Sequence, residues 1–178
     1  DKAEDLKNAI GGAVILGQFV NEANPEAHEL TTGPEIIEDL GAAPDVFIAG
    51  IGTGGTITGV GRFLRAKGAS TAVIGIEPAS SPLLTRGVAG AHKIQGIGAN
   101  FIPDVLDRSV IDEVVTVSDE SALKFMEILG KEEGIFAGVS SGAAISAVVD
   151  ICKQKNLTGK KIVAVLPDTG ERYVSLLD

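Results

Sequence analysis

Short, mainly apolar runs alternate with amphipathic stretches along most of the chain. Runs of strand length occur in DVFIAG (45–50), AVIGIE (72–77), DEVVTV (112–117) and KIVAVL (161–166), and AVIL (13–16) is a shorter candidate. Segments between them have the period of helices, as in GGTITGVGRFLRAKG (54–68). Strands that alternate with helices predict an α/β fold with a largely parallel open sheet and helices on both faces.

Capping signals predict where several helices begin and end. In NPEAHELTTGPEIIEDLG (24–41), Thr31 or Thr32 can cap a helix, Pro34 suits its first turn and Gly41 suits its C-terminal stop. Residues 78–109 are rich in glycine and proline and too long for a simple connection. Loops of that length are often functional.

A second helix is predicted over 119–133, with Ser118 as its cap and Gly134 as its end. Ala122, Met126 and Leu129 recur at the spacing of a core-facing stripe, with Phe125 beside them. IFAG (135–138) then predicts a strand before a helix that runs through residue 155.

Composition and charge narrow the classes of function. The net charge of −9 argues against nucleic acid or an anionic membrane as a partner. A single cysteine, Cys152, allows no disulfide framework, and no apolar run reaches membrane-spanning length. His28 and His92 are the only histidines, so no metal site is expected. A cytoplasmic protein fits these features.

The stretch FIAGIGTGGTITGVGRFL (47–64) predicts an anion site. A strand that enters a helix through a glycine-rich turn directs backbone N–H groups and the positive helix end at one point. The predicted ligands of the anion are Gly52, Thr53, Gly54, Gly55 and Thr56. A tight turn without a ligand is the alternative.

Spacing alone leaves the identity of the anion open. The dinucleotide-binding fingerprint G-x-G-x-x-G is also present, at Gly50, Gly52 and Gly55. In that fingerprint an acidic residue at the end of the next strand binds the ribose, and Glu77 occupies this position. An NAD(P)- or flavin-binding oxidoreductase module therefore stays an alternative.

GVSSG (138–142) has the spacing of a hydrolase nucleophile elbow. That fold needs a histidine after the serine, and no histidine follows His92, so a serine hydrolase is not expected. Ser140 or Ser141 could instead cap a helix or present a hydroxyl to a ligand. The 52–56, 138–142 and 168–171 segments all follow predicted strands, so one pocket at the carboxyl edge of the sheet could use all three.

Six stretches together resemble cysteine synthase (O-acetylserine sulfhydrylase), a fold type II pyridoxal-phosphate enzyme. They are NEANPEAHELTTGPEI (21–36), GTGGTITGVGRFL (52–64), IEPASSPLL (76–84), HKIQGIGANFIPDVLD (92–107), GVSSGAA (138–144) and LPDTGERY (166–173). GTGGT also occurs in cystathionine β-synthases, another β-replacement alternative, whereas HKIQGIGANF favours cysteine synthase. The resemblance covers nearly the whole chain.

The resemblance implies a cofactor, a reaction and partners. The 52–56 loop would hold the phosphate of pyridoxal 5′-phosphate, Ser140 would bond the pyridine nitrogen and leave it unprotonated, and Gly96 would lie near the substrate amino acid. The reaction would replace the acetate of O-acetylserine with sulfide to give L-cysteine. A homodimer and binding of the C-terminal tail of serine acetyltransferase are also implied.

The family's Schiff-base lysine and its substrate-carboxylate loop lie in an earlier part of the enzyme that this sequence does not match. No catalytic residue is therefore assigned, and the isolated chain is expected to be inactive. Residues 1–20 would be the end of the small domain, and residues 21–178 an incomplete large, cofactor-binding domain.

Overall fold

The computed structural model describes residues 2–176. The strands are β1 (Val46–Gly50), β2 (Ala72–Pro78), β3 (Glu113–Val117) and β4 (Ile162–Ala164). The α-helices are α1 (Lys2–Ala9), α2 (Ala23–Ala27), α3 (Gly33–Leu40), α4 (Gly55–Ala66), α5 (Leu83–Arg86), α6 (Asp119–Glu132) and α7 (Val139–Lys155). A π-helical segment (His28–Thr32) joins α2 to α3, and 3₁₀ turns cover Arg108–Val110 and Gly170–Leu176.

The four strands form one parallel sheet in the order β3-β2-β1-β4. Val46 of β1 lies opposite Ala72 of β2 on one side and Ile162 of β4 on the other. Because parallel neighbours need a crossover, the chain returns through helices between strands. The predicted α/β fold with a parallel open sheet is confirmed.

Alternate side chains of β1 divide the core into two layers. Val46 and Ile48 pack in the cluster that contains buried residues of α6 and α7. Phe47 and Ala49 point to the other face and pack with α4 and, at its margin, α3. This alternation follows from the two-residue period of a strand, and it confirms that helices cover both faces.

The packing of α6 against α7 confirms the predicted core stripe. Ala122, Met126 and Leu129 are buried and Phe125 is half-buried. Ser118 caps α6, because its Oγ accepts a hydrogen bond from the Ser121 N–H at 3.1 Å. α6 ends at Glu132, slightly before the predicted boundary at Gly134.

Two predicted strands are wrong. Residues 13–16 have no regular structure, and Val14 and Leu16 are each 79% exposed, because no described strand pairs with this segment. Residues 135–138 form only an isolated bridge, between Ala137 and Thr169. Apolar composition does not make a strand without a hydrogen-bonding neighbour. β4 is shorter than the predicted KIVAVL, although the Val165 N–H still donates to the Ile48 carbonyl at 3.0 Å.

The predicted threonine caps are also wrong, because the chain is helical on both sides of them. Thr31 Oγ1 donates to the Ala27 carbonyl at 2.8 Å, and Thr32 makes no capping bond. Pro34 does lie in the first turn of α3, and Gly41 ends that helix in the left-handed conformation at φ 69°. Between residues 2 and 176, the structure has no helix long and apolar enough to cross a membrane.

Candidate cofactor site

The glycine loop connects β1 to α4 and lies where the sequence predicts. Gly54 has φ 86°, a conformation that favours glycine, and it directly precedes the first helical residue. A Cβ on Gly52 would lie 2.2 Å from the Gly96 carbonyl oxygen, so the backbones of two loops are in close contact there. The first N–H groups of a helix lack intrahelical partners, so this turn can receive an anion.

The hydroxyl of Thr53 is oriented by Asn24, a residue that the sequence analysis missed. Thr53 Oγ1 accepts hydrogen bonds from Asn24 Nδ2 at 3.0 Å and from the Gly55 N–H at 3.2 Å. Asn24 is itself held by a second bond, to the Gln18 carbonyl at 2.8 Å. A hydroxyl has two acceptor sites and one proton, so Thr53 is left to donate its proton to an anion.

The hydroxyl of Thr56 contacts His28 in a similar way. His28 Nε2 lies 3.1 Å from Thr56 Oγ1, and its Nδ1 lies 2.9 Å from Thr32 Oγ1. Burial lowers the pKa of His28, which favours a neutral imidazole. In the tautomer with the proton on Nε2, the histidine donates to Thr56 and leaves the Thr56 proton for an anion.

We expect Asn24→Asp to weaken anion binding about tenfold or more. A carboxylate only accepts hydrogen bonds, so Thr53 would donate its proton to it instead of to the anion, and the new charge would repel the anion. Charge-assisted hydrogen bonds contribute about 1.5–3 kcal/mol, which corresponds to that loss. Phosphorus NMR titration with pyridoxamine 5′-phosphate measures it.

The matched control is Asn21→Asp, the same change in charge three residues earlier. Asn21 Oδ1 accepts from the Ala23 N–H at 3.0 Å, which a carboxylate can also do. Each variant also loses one bond from the amide nitrogen to a backbone carbonyl, of Leu16 for Asn21 and of Gln18 for Asn24. An equal loss of affinity in both variants would show that charge alone, and not the orientation of the Thr53 hydroxyl, is responsible.

One cleft of about 170 Å³ brings the predicted site together. All seven predicted binding residues line it, and Val165 and Pro167 from the chain after β4 complete the wall. The predicted seven are Gly52, Thr53, Gly54, Gly55, Thr56, Gly96 and Ser140. No residue of 168–171 is among those that line the cleft, so the prediction that one pocket uses all three segments is supported for 52–56 and 138–142 only.

Ser140 lies at the start of α7 and does not cap it. The N-cap residue is Gly138, and no side chain makes a capping bond there. Ser140 and Ser141 instead donate their hydroxyl protons to Asp168 Oδ1, at 3.2 and 3.4 Å. Asp168 is another residue whose role the sequence does not reveal, although LPDTGERY marks its segment.

Tyr173 donates to the other oxygen of the same carboxylate, at 2.5 Å. Burial, the hydrogen bond to Asp168 and the charge of Asp168 together raise the pKa of Tyr173 to about 12. The side chain is 5% exposed, which agrees with burial as the leading cause. Tyr173 is the only tyrosine in the chain, so its titration can be followed without overlap.

We expect the phenolate absorbance to appear near pH 12 in the folded chain and near the ordinary value of about 10 after unfolding. Between those values the folded state keeps a proton that the unfolded state has lost. This contribution to stability is therefore complete below about pH 10 and is lost as pH rises to about 12. A folded-state transition near pH 10 would contradict the Asp168 contact.

Glu77 does not lie free at the end of its strand, as a ribose-binding acid would. It is 2% exposed, and its carboxylate accepts from the Leu84 N–H at 2.7 Å and from the N–H and hydroxyl of Thr85. These bonds anchor the turn that follows β2. The structure therefore gives the dinucleotide alternative no support from Glu77.

A parallel α/β domain with a glycine-rich strand-to-helix turn at the carboxyl edge of its sheet defines the general class of this protein. Residues 1–168 match the family described as pyridoxal-phosphate dependent enzyme. The chain belongs to that family, and pyridoxal phosphate is the cofactor of the family. The glycine contacts of the 52–55 turn and the two donor hydroxyls fit a phosphate monoester.

Named relatives agree with this assignment. Cysteine synthase A of Escherichia coli (strain K12) is 48% identical over 170 residues, covering 91% of this chain and 53% of that protein. Cysteine synthase of Staphylococcus aureus (strain N315) is 46% identical over 175 residues, covering 98% and 56%. The crystal structure of O-ureido-L-serine synthase has a TM-score of 0.92 at 43% identity, covering 98% of this chain and 55% of that one. The chain thus spans about half the length of these relatives.

Proposed function

We propose that the chain is the cofactor-binding part of a cysteine synthase, which makes L-cysteine from O-acetylserine and sulfide. The observation that carries the proposal is the cleft in which the 52–56 loop, Gly96 and Ser140 meet. An identity of 46–48% to two cysteine synthases supports this reaction over other reactions of the family.

Each wall of the cleft has a proposed role. The 52–56 loop holds the cofactor phosphate through backbone N–H groups and the hydroxyls of Thr53 and Thr56. Ser140 faces the ring nitrogen from the start of α7. Gly96 borders the space for the substrate amino acid, and its φ of 92° favours glycine at this position. When bound, pyridoxal phosphate supplies an electron sink for replacement at the β-carbon of the substrate.

The isolated chain is proposed to lack activity. No lysine lines the cleft in the part of the chain that the structure describes. Lys67 lies instead over the ring of Phe63, at 5.5 Å from its centroid, and the side chain of Lys93 is exposed. The covalent partner of the cofactor would therefore come from sequence outside this chain.

A gain-of-activity experiment tests the function. The chain is fused to the C-terminus of the N-terminal half of the Escherichia coli enzyme. Cysteine formation from O-acetylserine and sulfide is then measured. We expect activity from the joined protein and none from the chain alone. A joined protein that binds the cofactor but forms no cysteine would contradict the proposal, and cysteine formed by the chain alone would contradict its inactivity.

The same proposal includes the domain division, location and partners. Residues 1–20 belong to the small domain and 21–178 to the large domain, and α1, which has no buried residue, supports this boundary. The whole protein is a cytoplasmic homodimer that binds the C-terminal tail of serine acetyltransferase. Size measurement in solution and binding of a labelled peptide ending in isoleucine test these two interactions.

One specific observation favours a second candidate function, with a nucleophile other than sulfide. The crystal structure of O-ureido-L-serine synthase matches this chain with a TM-score of 0.92 at 43% identity, and that enzyme is named for a different product. The nucleophile could therefore differ from sulfide. Offering the joined protein hydroxyurea in place of sulfide separates the two, because only the second candidate predicts faster turnover with it.

A further inference from the structure

His28 lies between two threonine hydroxyls. Its Nε2 is 3.1 Å from Thr56 Oγ1 at the start of α4, and its Nδ1 is 2.9 Å from Thr32 Oγ1 in the π-helical segment. Burial lowers the pKa of His28, which favours the neutral imidazole, with one N–H group and one lone pair. A neutral His28 must donate to one threonine and accept from the other, so the three side chains form one hydrogen-bonded chain with two possible directions.

The π-helical segment presents the hydroxyl of Thr32 to this histidine. The Gly33 N–H donates to the His28 carbonyl, five residues back, which is the wide turn of a π-helix. The neighbouring Thr31 donates its hydroxyl proton to the Ala27 carbonyl, four residues back, at 2.8 Å. In the part of the chain that the structure describes, the hydroxyl of Thr32 has only His28 Nδ1 as a hydrogen-bond partner, so its proton is available to that nitrogen.

Close packing between this segment and α4 fixes the position of the histidine. A Cβ on Gly59 of α4 would lie 2.7 Å from His28 Cβ and 2.1 Å from the Pro25 carbonyl oxygen. Glycine therefore lets the two backbones approach closely, and Gly59 lies on the same helix as Thr56, about one turn further on. The fold thus determines how far the His28 ring lies from the Thr56 hydroxyl.

We propose that an anion in the 52–56 loop sets the direction of this hydrogen-bonded chain, and that Thr32 is a positioning residue for the cofactor phosphate. The inference rests on the proposed function, because it needs the phosphate to accept the proton of Thr56. A hydroxyl has one proton, so Thr56 must then accept a hydrogen bond from His28 Nε2. The imidazole proton is therefore on Nε2, and Nδ1 accepts a hydrogen bond from Thr32.

Within the described residues, no lysine, arginine or histidine lines the cleft. A bound phosphate would therefore be stabilised by N–H groups, by hydroxyls and by the positive end of α4. In a chain of hydrogen bonds each donor polarises the next one, so a donor two side chains away still strengthens the last bond. Removal of the Thr32 hydroxyl should therefore weaken phosphate binding, although Thr32 does not line the cleft.

Nitrogen-15 NMR of the histidine rings tests this directly. Spectra of the full 178-residue chain are recorded with and without pyridoxamine 5′-phosphate, at about pH 8, above the ordinary histidine pKa of about 6.5. We expect the bound chain to have the His28 proton on Nε2. His92 is the only other histidine and serves as a reference, because its Nε2 lies 2.9 Å from the Gly98 carbonyl, which can only accept. Phosphorus NMR reports separately whether the phosphate is bound.

The decisive variant is Thr32→Val, which keeps the branched shape and removes the hydroxyl. We expect the affinity for pyridoxamine 5′-phosphate to fall about threefold to tenfold, the size of one neutral hydrogen bond. The His28 Nδ1 resonance should move to the position of a nitrogen without a donor. Thr32→Ser keeps a hydroxyl and should retain both properties. The control Thr31→Val removes the adjacent hydroxyl, which bonds to Ala27 and not to His28, and should change neither property.

The outcomes separate the two proposals. Bound phosphate with the His28 proton on Nδ1 in the unchanged chain would overturn the role of Thr32 and leave the proposed function intact. Equal losses of affinity in Thr31→Val and Thr32→Val would also overturn it, because they would show a general effect on the π-helical segment. Absence of phosphate binding to the unchanged chain would overturn both proposals. If Thr32→Val does not fold, the proton position in the unchanged chain still decides the matter.

Discussion

Gly52→Ala is expected to abolish most binding of pyridoxamine 5′-phosphate, with a loss of affinity of about tenfold or more. The new Cβ would lie 2.2 Å from the Gly96 carbonyl oxygen, which is a backbone atom, and the position of a Cβ is itself fixed by the backbone that carries it. Neither can rotate away, so the 52–56 loop and the 92–98 segment must separate. That separation opens the cleft between the proposed phosphate ligands and the proposed substrate loop. Overpacking of this kind also costs about 1–3 kcal/mol of stability.

Gly50→Ala, at the last residue of β1, is the matched control. Its Cβ would meet Ile97 Cγ2 at 2.6 Å, which is a side-chain methyl and not a backbone atom, so the side chain can shift without separating the two loops. Titration followed by phosphorus NMR, together with denaturant unfolding, compares the two variants. Equal effects would show that crowding anywhere in the turn is sufficient, and that the Gly52–Gly96 contact has no special role.

Gly142→Ala is expected to lower the free energy of unfolding by about 2–3 kcal/mol, although alanine favours helices over glycine by about 1 kcal/mol. The added Cβ would lie 2.0 Å from the Ala122 carbonyl oxygen and 2.6 Å from the Met126 N–H nitrogen. Helices α6 and α7 would have to move apart there. Because Ser140 lies two residues before Gly142, the same displacement should weaken cofactor binding.

Gly130→Ala in α6 is the control for this substitution. A Cβ there has no neighbour within 4 Å and the position is exposed, so only helix propensity changes. We expect it to raise the free energy of unfolding by about 0.5–1 kcal/mol. If urea denaturation showed both variants to be more stable than the unchanged chain, the close contact between α6 and α7 would be refuted.

Local sequence patterns were enough to predict the main strands and helices of this protein. The apolar runs of β1, β2 and β3, the core stripe of α6 and the glycine turn before α4 are all short-range features, so the sequence alone predicts them. The seven predicted binding residues follow from these short-range patterns together with the resemblance. They meet in one cleft because parallel strands end at the same edge of a sheet.

The failures of prediction have a common cause in long-range contacts. AVIL has the composition of a strand but lies exposed, because strand formation needs a partner that composition does not specify. Glu77 fits a dinucleotide fingerprint by spacing, yet its carboxylate bonds to the turn that contains Thr85. Whether a polar residue is free for a ligand depends on which neighbours the fold brings to it.

The sequence by itself determined the α/β class, the position of the glycine-rich turn and the family to which the chain is similar. Only the tertiary structure revealed that Asn24 directs the Thr53 hydroxyl, that His28 contacts Thr56, and that Asp168 accepts the hydrogen bond of the Ser140 hydroxyl. Each of these pairs is separated by about thirty positions in the chain, at 29, 28 and 28 residues. The direction of a hydroxyl proton is set by the partners that surround it, and those partners are known only once the chain has folded.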